Sequence, residues 1–258
     1  MLPFEELKDL LDEKYIHFNR PNFIPNDPIS IPHKFSNKED IEIAGFFASI
    51  LAWGQRKTII NKCVELLELM DNAPHEFITS FEPQDLMPFE AFKHRTFNGT
   101  DCLYFMESLR NIYENHEGLE GVFSKAIKES DASIEKGLIH FRETFFELED
   151  SPARTTKHIA SPLKKSACKR INMYLRWMVR KDNNGVDFGI WNKIKPSQLV
   201  CPCDVHVERV ARKLGLIQLP KPNWNMATEL TENLKSFDPN DPVKYDFSLF
   251  GLGVEGYM

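Results

Sequence analysis

Two short segments carry side chains whose types and positions suit chemistry. One is SACKRINMYLRWMVR, residues 166–180, which contains Lys169; the other is CPCDVHVERVARKLGL, residues 201–216, which contains Asp204. An uncharged lysine amine is a nucleophile for electrophilic carbon, and it is favoured where the ammonium form is disfavoured. A lysine in the first turn of a helix sits at the positive end of the helix dipole, which works in that direction. A carboxylate at a helix start is held in its ionised form and can stabilise a developing positive charge. Each residue also has a simpler explanation. Lys165, Lys169, Asn172, Arg176 and Arg180 recur at three- and four-residue spacings, which describes a solvated basic face. Asp204 opens an amphipathic helix, where Asp is a favoured cap.

The elements that must position these residues are helices. Apolar residues recur at helical spacing over residues 4–15, and over 41–70 with a break near Trp53-Gly54-Gln55. Helical patterns follow over 101–115, 119–128 and 133–147. Ser166 is placed to cap a helix that runs to about Lys181 and stops at Asn183-Asn184-Gly185. Further helices are expected over 205–214, 225–237 and 241–251, with an extended run over 196–202. Residues 19–35 contain four prolines and read as an irregular segment lying against the body. Period-two alternation is scarce, so the fold class is all-α. The length of 258 residues suits one bilobal domain. Its lobes are expected at 40–181 and at 1–39 plus 182–258.

The net charge of −6 argues mildly against a nucleic-acid partner, but the charge is unevenly spread. Nine Lys and Arg and no Asp or Glu lie between Ala153 and Lys181. Packed aromatic helices would account for the 20 Phe. Five cysteines at irregular spacing are not a secreted disulfide framework. The acidic amphipathic N-terminus is unlike a signal peptide, and no apolar run is long enough to span a bilayer. These features point to a cytoplasmic protein.

The run Asp204-Val-His-Val-Glu-Arg-Val, ending Arg212-Lys-Leu-Gly-Leu216, resembles the aspartate motif of the helix-hairpin-helix DNA glycosylase superfamily. Lys169-Arg-Ile-Asn172-Met-Tyr-Leu175 is similar to the lysine-bearing helix of endonuclease III. Phe46-Phe-Ala-Ser-Ile-Leu-Ala-Trp-Gly-Gln55 is similar to the early helix whose Gln fills the gap left by an extruded base. Tyr245-Asp-Phe-Ser-Leu-Phe-Gly-Leu-Gly253 resembles the last helix. The four segments occur in the family's order. SACKRINMYLRWMVR and YDFSLFGLG are typical of a little-characterised bacterial branch, closest in style to the archaeal 8-oxoguanine glycosylases.

This resemblance implies a bilobal helical glycosylase with its cleft between two lobes. It makes Lys169 the nucleophile and Asp204 its carboxylate partner. The target nucleotide would be extruded from duplex DNA before attack, and an oxidised purine would be excised through a lysine Schiff base. Gln55, Lys164, Lys165, Ser166 and Arg170 would contact DNA, and Trp191, Asp187 and His206 would border the base pocket. The expected partner is damaged double-stranded DNA, bound by a monomer without membrane association.

The pattern is broken in three places. The family's glycine-containing hairpin is replaced by Pro162-Leu-Lys-Lys-Ser166, where Lys164, Lys165 and the amide of Ser166 would have to hold a phosphate. Lys169 and Asp204 lie 35 residues apart, more than in endonuclease III. The extra length contains Trp191, which would either stack on a base or anchor the inserted loop; the anchor is the favoured reading. No cysteine follows Cys203, so no iron–sulfur cluster is expected. Cys201, Cys203 and His206 invite a zinc reading, but a single Cys-x-Cys pair argues against a metal site. The rival to an enzyme is a DNA-binding protein on a degenerate glycosylase scaffold, favoured by the missing hairpin glycines and the acidic charge.

Overall fold

The computed structural model describes residues 2–256, and among these the fold is all-α. The helices are α1 (Phe4–Phe18), α2 (Lys38–Leu51), α3 (Arg56–Glu68), α4 (Pro74–Ser80), α5 (Gly99–Asn115) and α6 (Gly118–Lys125). They continue as α7 (Glu135–Phe145), α8 (Lys169–Val179), α9 (Val205–Lys213), α10 (Trp224–Lys235) and α11 (Asp246–Val254). One minimal hairpin, β1 (Lys93–His94) with β2 (Phe97–Asn98), pairs His94 with Phe97. No described helix is long and apolar enough to cross a membrane.

The chain divides into two compact units, one of Met1–Ile24, Lys128–Glu135 and Ser161–Met258, and one of Pro25–Ile127 and Lys136–Ala160. The division differs from the lobes expected from sequence. Residues 161–181 group with the chain termini, and residues 25–39 with the central helices. Ion pairs from Arg176 of α8 and from Arg180 just after it to Asp187, Asp241 and Asp246 show why α8 lies where it does.

In the unit that includes the termini, α11 packs on α1 and α9. Gly251 lets α11 approach α1, because a Cβ there would occupy the position of the Phe18 ring. Ser248 Oγ donates to Leu11 O at 2.6 Å and Tyr245 Oη to Asp12 at 2.9 Å, tying α11 and the turn before it to α1. Residues 128–135 join the same unit through Gln198, whose side-chain amide donates to Lys128 O and Asp131 O.

In the other unit, every residue of α2 from Ile41 to Leu51 is buried. Phe46 sits among Phe47, Phe105, Phe141 and Phe145, with ring centroids 5.7–6.1 Å away. Ring pairs at such separations add to the burial of large apolar area, so the abundance of Phe has a packing explanation.

Several expected element boundaries moved, and the helix expected over 241–251 starts only at Asp246, after a 3₁₀ turn at Pro242–Tyr245. The helix expected from Ser166 to Lys181 is shorter, because Cys168 is left-handed at φ +49° and Arg180 is extended. Asn183-Asn184-Gly185 therefore lies beyond the helix end. The run expected to be extended contains a 3₁₀ turn at Pro196–Gln198. The hairpin at 93–98 was not expected, since two-residue strands are too short to show alternation.

Candidate active site

The segment before α8 builds the position of Lys169. Ser161 Oγ accepts the Leu163 N–H at 3.3 Å, and Ser161 O accepts the Lys164 N–H at 3.1 Å, closing one turn at Pro162–Lys164. Lys165 then adopts φ +57° and Cys168 φ +49°. Glycine occupies this left-handed region at no steric cost, and other residues do so uncommonly. The segment thus has left-handed backbone at two positions although it lacks glycine. Ser166 Oγ accepts the Cys168 N–H at 3.2 Å, so it supports the bend ahead of the helix rather than the helix itself. Leu163, Lys164 and Lys165 are exposed, Ser166 is half-buried, and Lys169 is the first residue of α8. Arg170 is half-buried and so less open to a phosphate than the exposed Lys164 and Lys165; burial pulls its guanidinium below the usual range.

Asp204 caps α9 as its type and position suggest. One oxygen, Oδ1, accepts the N–H groups of His206 and Val207, each at 2.8 Å. The other, Oδ2, stands 3.7 Å from Lys169 Nζ. The lysine side chain is 42% exposed and the aspartate 16%, so a pinned carboxylate meets a solvent-accessible amine. Capping and pairing with Lys169 are compatible because they use different oxygens.

Beside this pair lies a carboxylate that sequence reasoning passed over. Asp246, the first residue of α11, is buried and accepts from Arg176 Nη1. Burial lifts it to about 6, Arg176 opposes the rise and the Asp204 charge adds to it. Its only sequence signal was an Asp at a helix start, which reads as another cap.

The basic stripe is corrected. Lys165 is exposed and Lys169 half-buried, but Asn172, Arg176 and Arg180 are buried. Arg176 Nε donates to Asp187 at 3.3 Å, and its guanidinium carbon lies 4.2 Å from the centroid of the Phe247 ring. Arg180 Nη1 donates to Asp187, while its Nε and Nη2 donate to Asp241 at 2.9 and 2.9 Å. Burial works against the charge of Arg180, yet Asp187 and Asp241 hold its guanidinium well above the usual range.

The pocket expectations change with it. Asp187 is a buried partner of two arginines, not a group facing a base. Trp191 is 2% exposed, meets Tyr174 edge-on at 5.5 Å, and its backbone N–H donates to Met178 O at 2.9 Å. It anchors the 181–200 segment, and its face does not stand open for stacking. His206 is exposed, edge-on to Phe250 at 6.1 Å, with Arg209 Nη2 3.3 Å from its Nδ1. Gly253 makes room beneath it, since a Cβ would fall 2.8 Å from His206 Cβ.

Cys201 and Cys203 are buried thiols. Burial pushes Cys203 up to about 12 and Cys201 well above its usual value. Among the described residues no three His, Cys, Asp or Glu side chains are arranged to hold a metal ion. In the other unit, Gln55 is exposed at the start of α3, directly after Gly54 at φ +117°.

A family model described as a protein of unknown function (DUF2400) matches residues 27–255. The chain belongs to that family. The match takes in α8, Asp204 and α11 and excludes α1. No curated protein and no solved structure matches the chain.

Proposed function

We propose that the protein is a DNA glycosylase with abasic-site lyase activity, removing an oxidised purine of the 8-oxoguanine kind from duplex DNA. The observation that carries this reading is the 3.7 Å approach of Lys169 Nζ to Asp204 Oδ2, with the other aspartate oxygen committed to the α9 amides. A binding protein needs no amine beside a fixed carboxylate. The order of the four glycosylase-like segments supports the same reading, as does a left-handed hairpin carrying exposed Lys164 and Lys165.

In this reading the damaged nucleotide leaves the stack. The neutral amine of Lys169 attacks C1′, the C1′–N bond breaks, and the base departs with a proton. Loss of the amine protons and opening of the sugar leave a Schiff base at C1′. Removal of a C2′ proton then breaks the C3′–O bond and nicks the strand 3′ to the lesion. Asp204 stabilises positive charge on the sugar and accepts protons from the amine. The enzyme acts as a cytoplasmic monomer at the nucleoid and needs no cofactor.

Borohydride trapping tests this. Duplex DNA with an abasic site or 8-oxoguanine should yield a covalent adduct that is lost in Lys169→Gln. An adduct that persists in that variant moves the nucleophile to Lys164 or Lys165. Duplex binding without an adduct or base release, across a broad set of lesions, overturns the enzyme in favour of a DNA-binding protein on the same scaffold.

A further inference from the structure

We infer that the tip of the Lys93–Asn98 hairpin and the Trp53–Lys57 loop form a separate binding surface for the phosphate backbone of duplex DNA, with Arg95 at its centre. The inference rests on the proposal that DNA is the partner, but not on Lys169 chemistry.

The two segments lie in one unit and carry Arg56, Lys57, Lys93 and Arg95, with no Asp or Glu, in a chain of net charge −6. All four cations are exposed. Arg95 is held in an uncommon conformation for an arginine, φ +55°, at the hairpin turn. That turn is fixed from behind. Arg154 Nη2 donates to Thr96 O at 3.2 Å, and Arg154 also binds Asn98 and Asp101. Arg154 is thus committed to structure, while among the described residues no carboxylate pairs with Arg95.

The Arg95 guanidinium lies 5.0 Å from the centroid of the Trp53 ring. Its Nη1 lies so near Gly54 that a Cβ there would be 2.5 Å away. The turn, the Trp53 ring and the absence of a side chain at residue 54 together hold one guanidinium over the loop that presents Gln55. A preorganised, exposed guanidinium loses little entropy on meeting an anion, and its fork matches phosphate oxygens.

The same packing favours duplex phosphate over unpaired bases. Single-strand binders offer open aromatic faces on which bases stack. Here Arg95 covers the Trp53 ring and His94 meets it edge-on at 6.1 Å. What remains exposed is charge, which reads the backbone and releases counterions.

The test measures binding of the full chain to an undamaged duplex by fluorescence anisotropy over a range of salt. Arg95→Asn keeps a residue that tolerates left-handed backbone. It should weaken binding roughly tenfold or more and lower the salt slope by about one. Lys57→Gln should lower the slope similarly, whereas Lys221→Gln, exposed in the other unit, should change neither. Gly54→Ala should reproduce the Arg95 defect by displacing the guanidinium, with thermal unfolding confirming that each variant is folded. Unchanged affinity and slope in both Arg95→Asn and Lys57→Gln overturn the inference, and so does Arg95-dependent binding that is tighter for single-stranded RNA than for duplex DNA. Failure here with trapping intact leaves the glycosylase reading standing. Loss of trapping with Arg95-dependent duplex binding intact does the reverse.

Discussion

Arg176→Met should destabilise the protein in a pH-dependent way. Methionine keeps much of the side-chain length and removes only the guanidinium. Arg176 is 4% exposed and binds Asp187 and Asp246. Asp187 keeps Arg180 in the variant, but among the described residues Asp246 has no second arginine. Removing one partner of a buried ion pair costs about 3–5 kcal/mol. In the native protein Asp246 titrates near 6 rather than at 3.8, chiefly because it is buried. A raised carboxyl binds its proton more tightly when folded. Stability therefore falls as pH rises through the window from 3.8 to about 6, and levels off above it. That fall amounts to about 3 kcal/mol, at roughly 1.4 kcal/mol per pH unit.

Without Arg176 the carboxyl titrates later still, so the variant continues to lose stability above pH 6. The difference between native and variant should be smallest near pH 5 and largest near pH 8. Guanidinium chloride unfolding at four pH values between 5 and 8 measures this. A loss below about 1 kcal/mol at pH 8, within the range of exposed ion pairs, would show that Arg176 does not stabilise a buried Asp246 charge, as would a loss that does not change with pH. Reduced DNA affinity at unchanged stability would instead return Arg176 to an exposed basic face.

Two further substitutions separate structure from chemistry. Asp204→Ala should cost roughly 0.5–2 kcal/mol through the lost cap, while Asp204→Asn retains most of that stability. Both should abolish trapping, because both remove the carboxylate beside Lys169; denaturant midpoints set against trapping rates check this. Trp191→Ala should lower stability by about 3–5 kcal/mol, read by the same unfolding assay. A fall in affinity for lesion-containing DNA at unchanged stability would restore a base-stacking role for Trp191.

The sequence alone was informative where the deciding contacts are local. The apolar spacing located most helices, the Asp204 cap depends on amides two and three residues away, and Lys169 stands in the first turn of its helix. It also brought Lys169 and Asp204 under suspicion together, although only the fold sets Nζ and Oδ2 3.7 Å apart. Tertiary structure decided the rest of the basic stripe. Arg176 in α8 and Arg180 just after it have no acidic neighbour along that stretch, and a solvated face was a fair reading of that spacing. Their partners come from Asp187, just beyond the helix, and from Asp241 and Asp246, 61 and 70 positions away. Such pairings follow from how α11 and the preceding turn return to α8, and no local pattern encodes them. Trp191 illustrates the same limit, since stacking and anchoring need the same ring and only its neighbours tell them apart. Arg95 was passed over because a two-residue strand has no periodicity to read, and its contact with Trp53 exists only once the hairpin has folded back over the Gly54 loop.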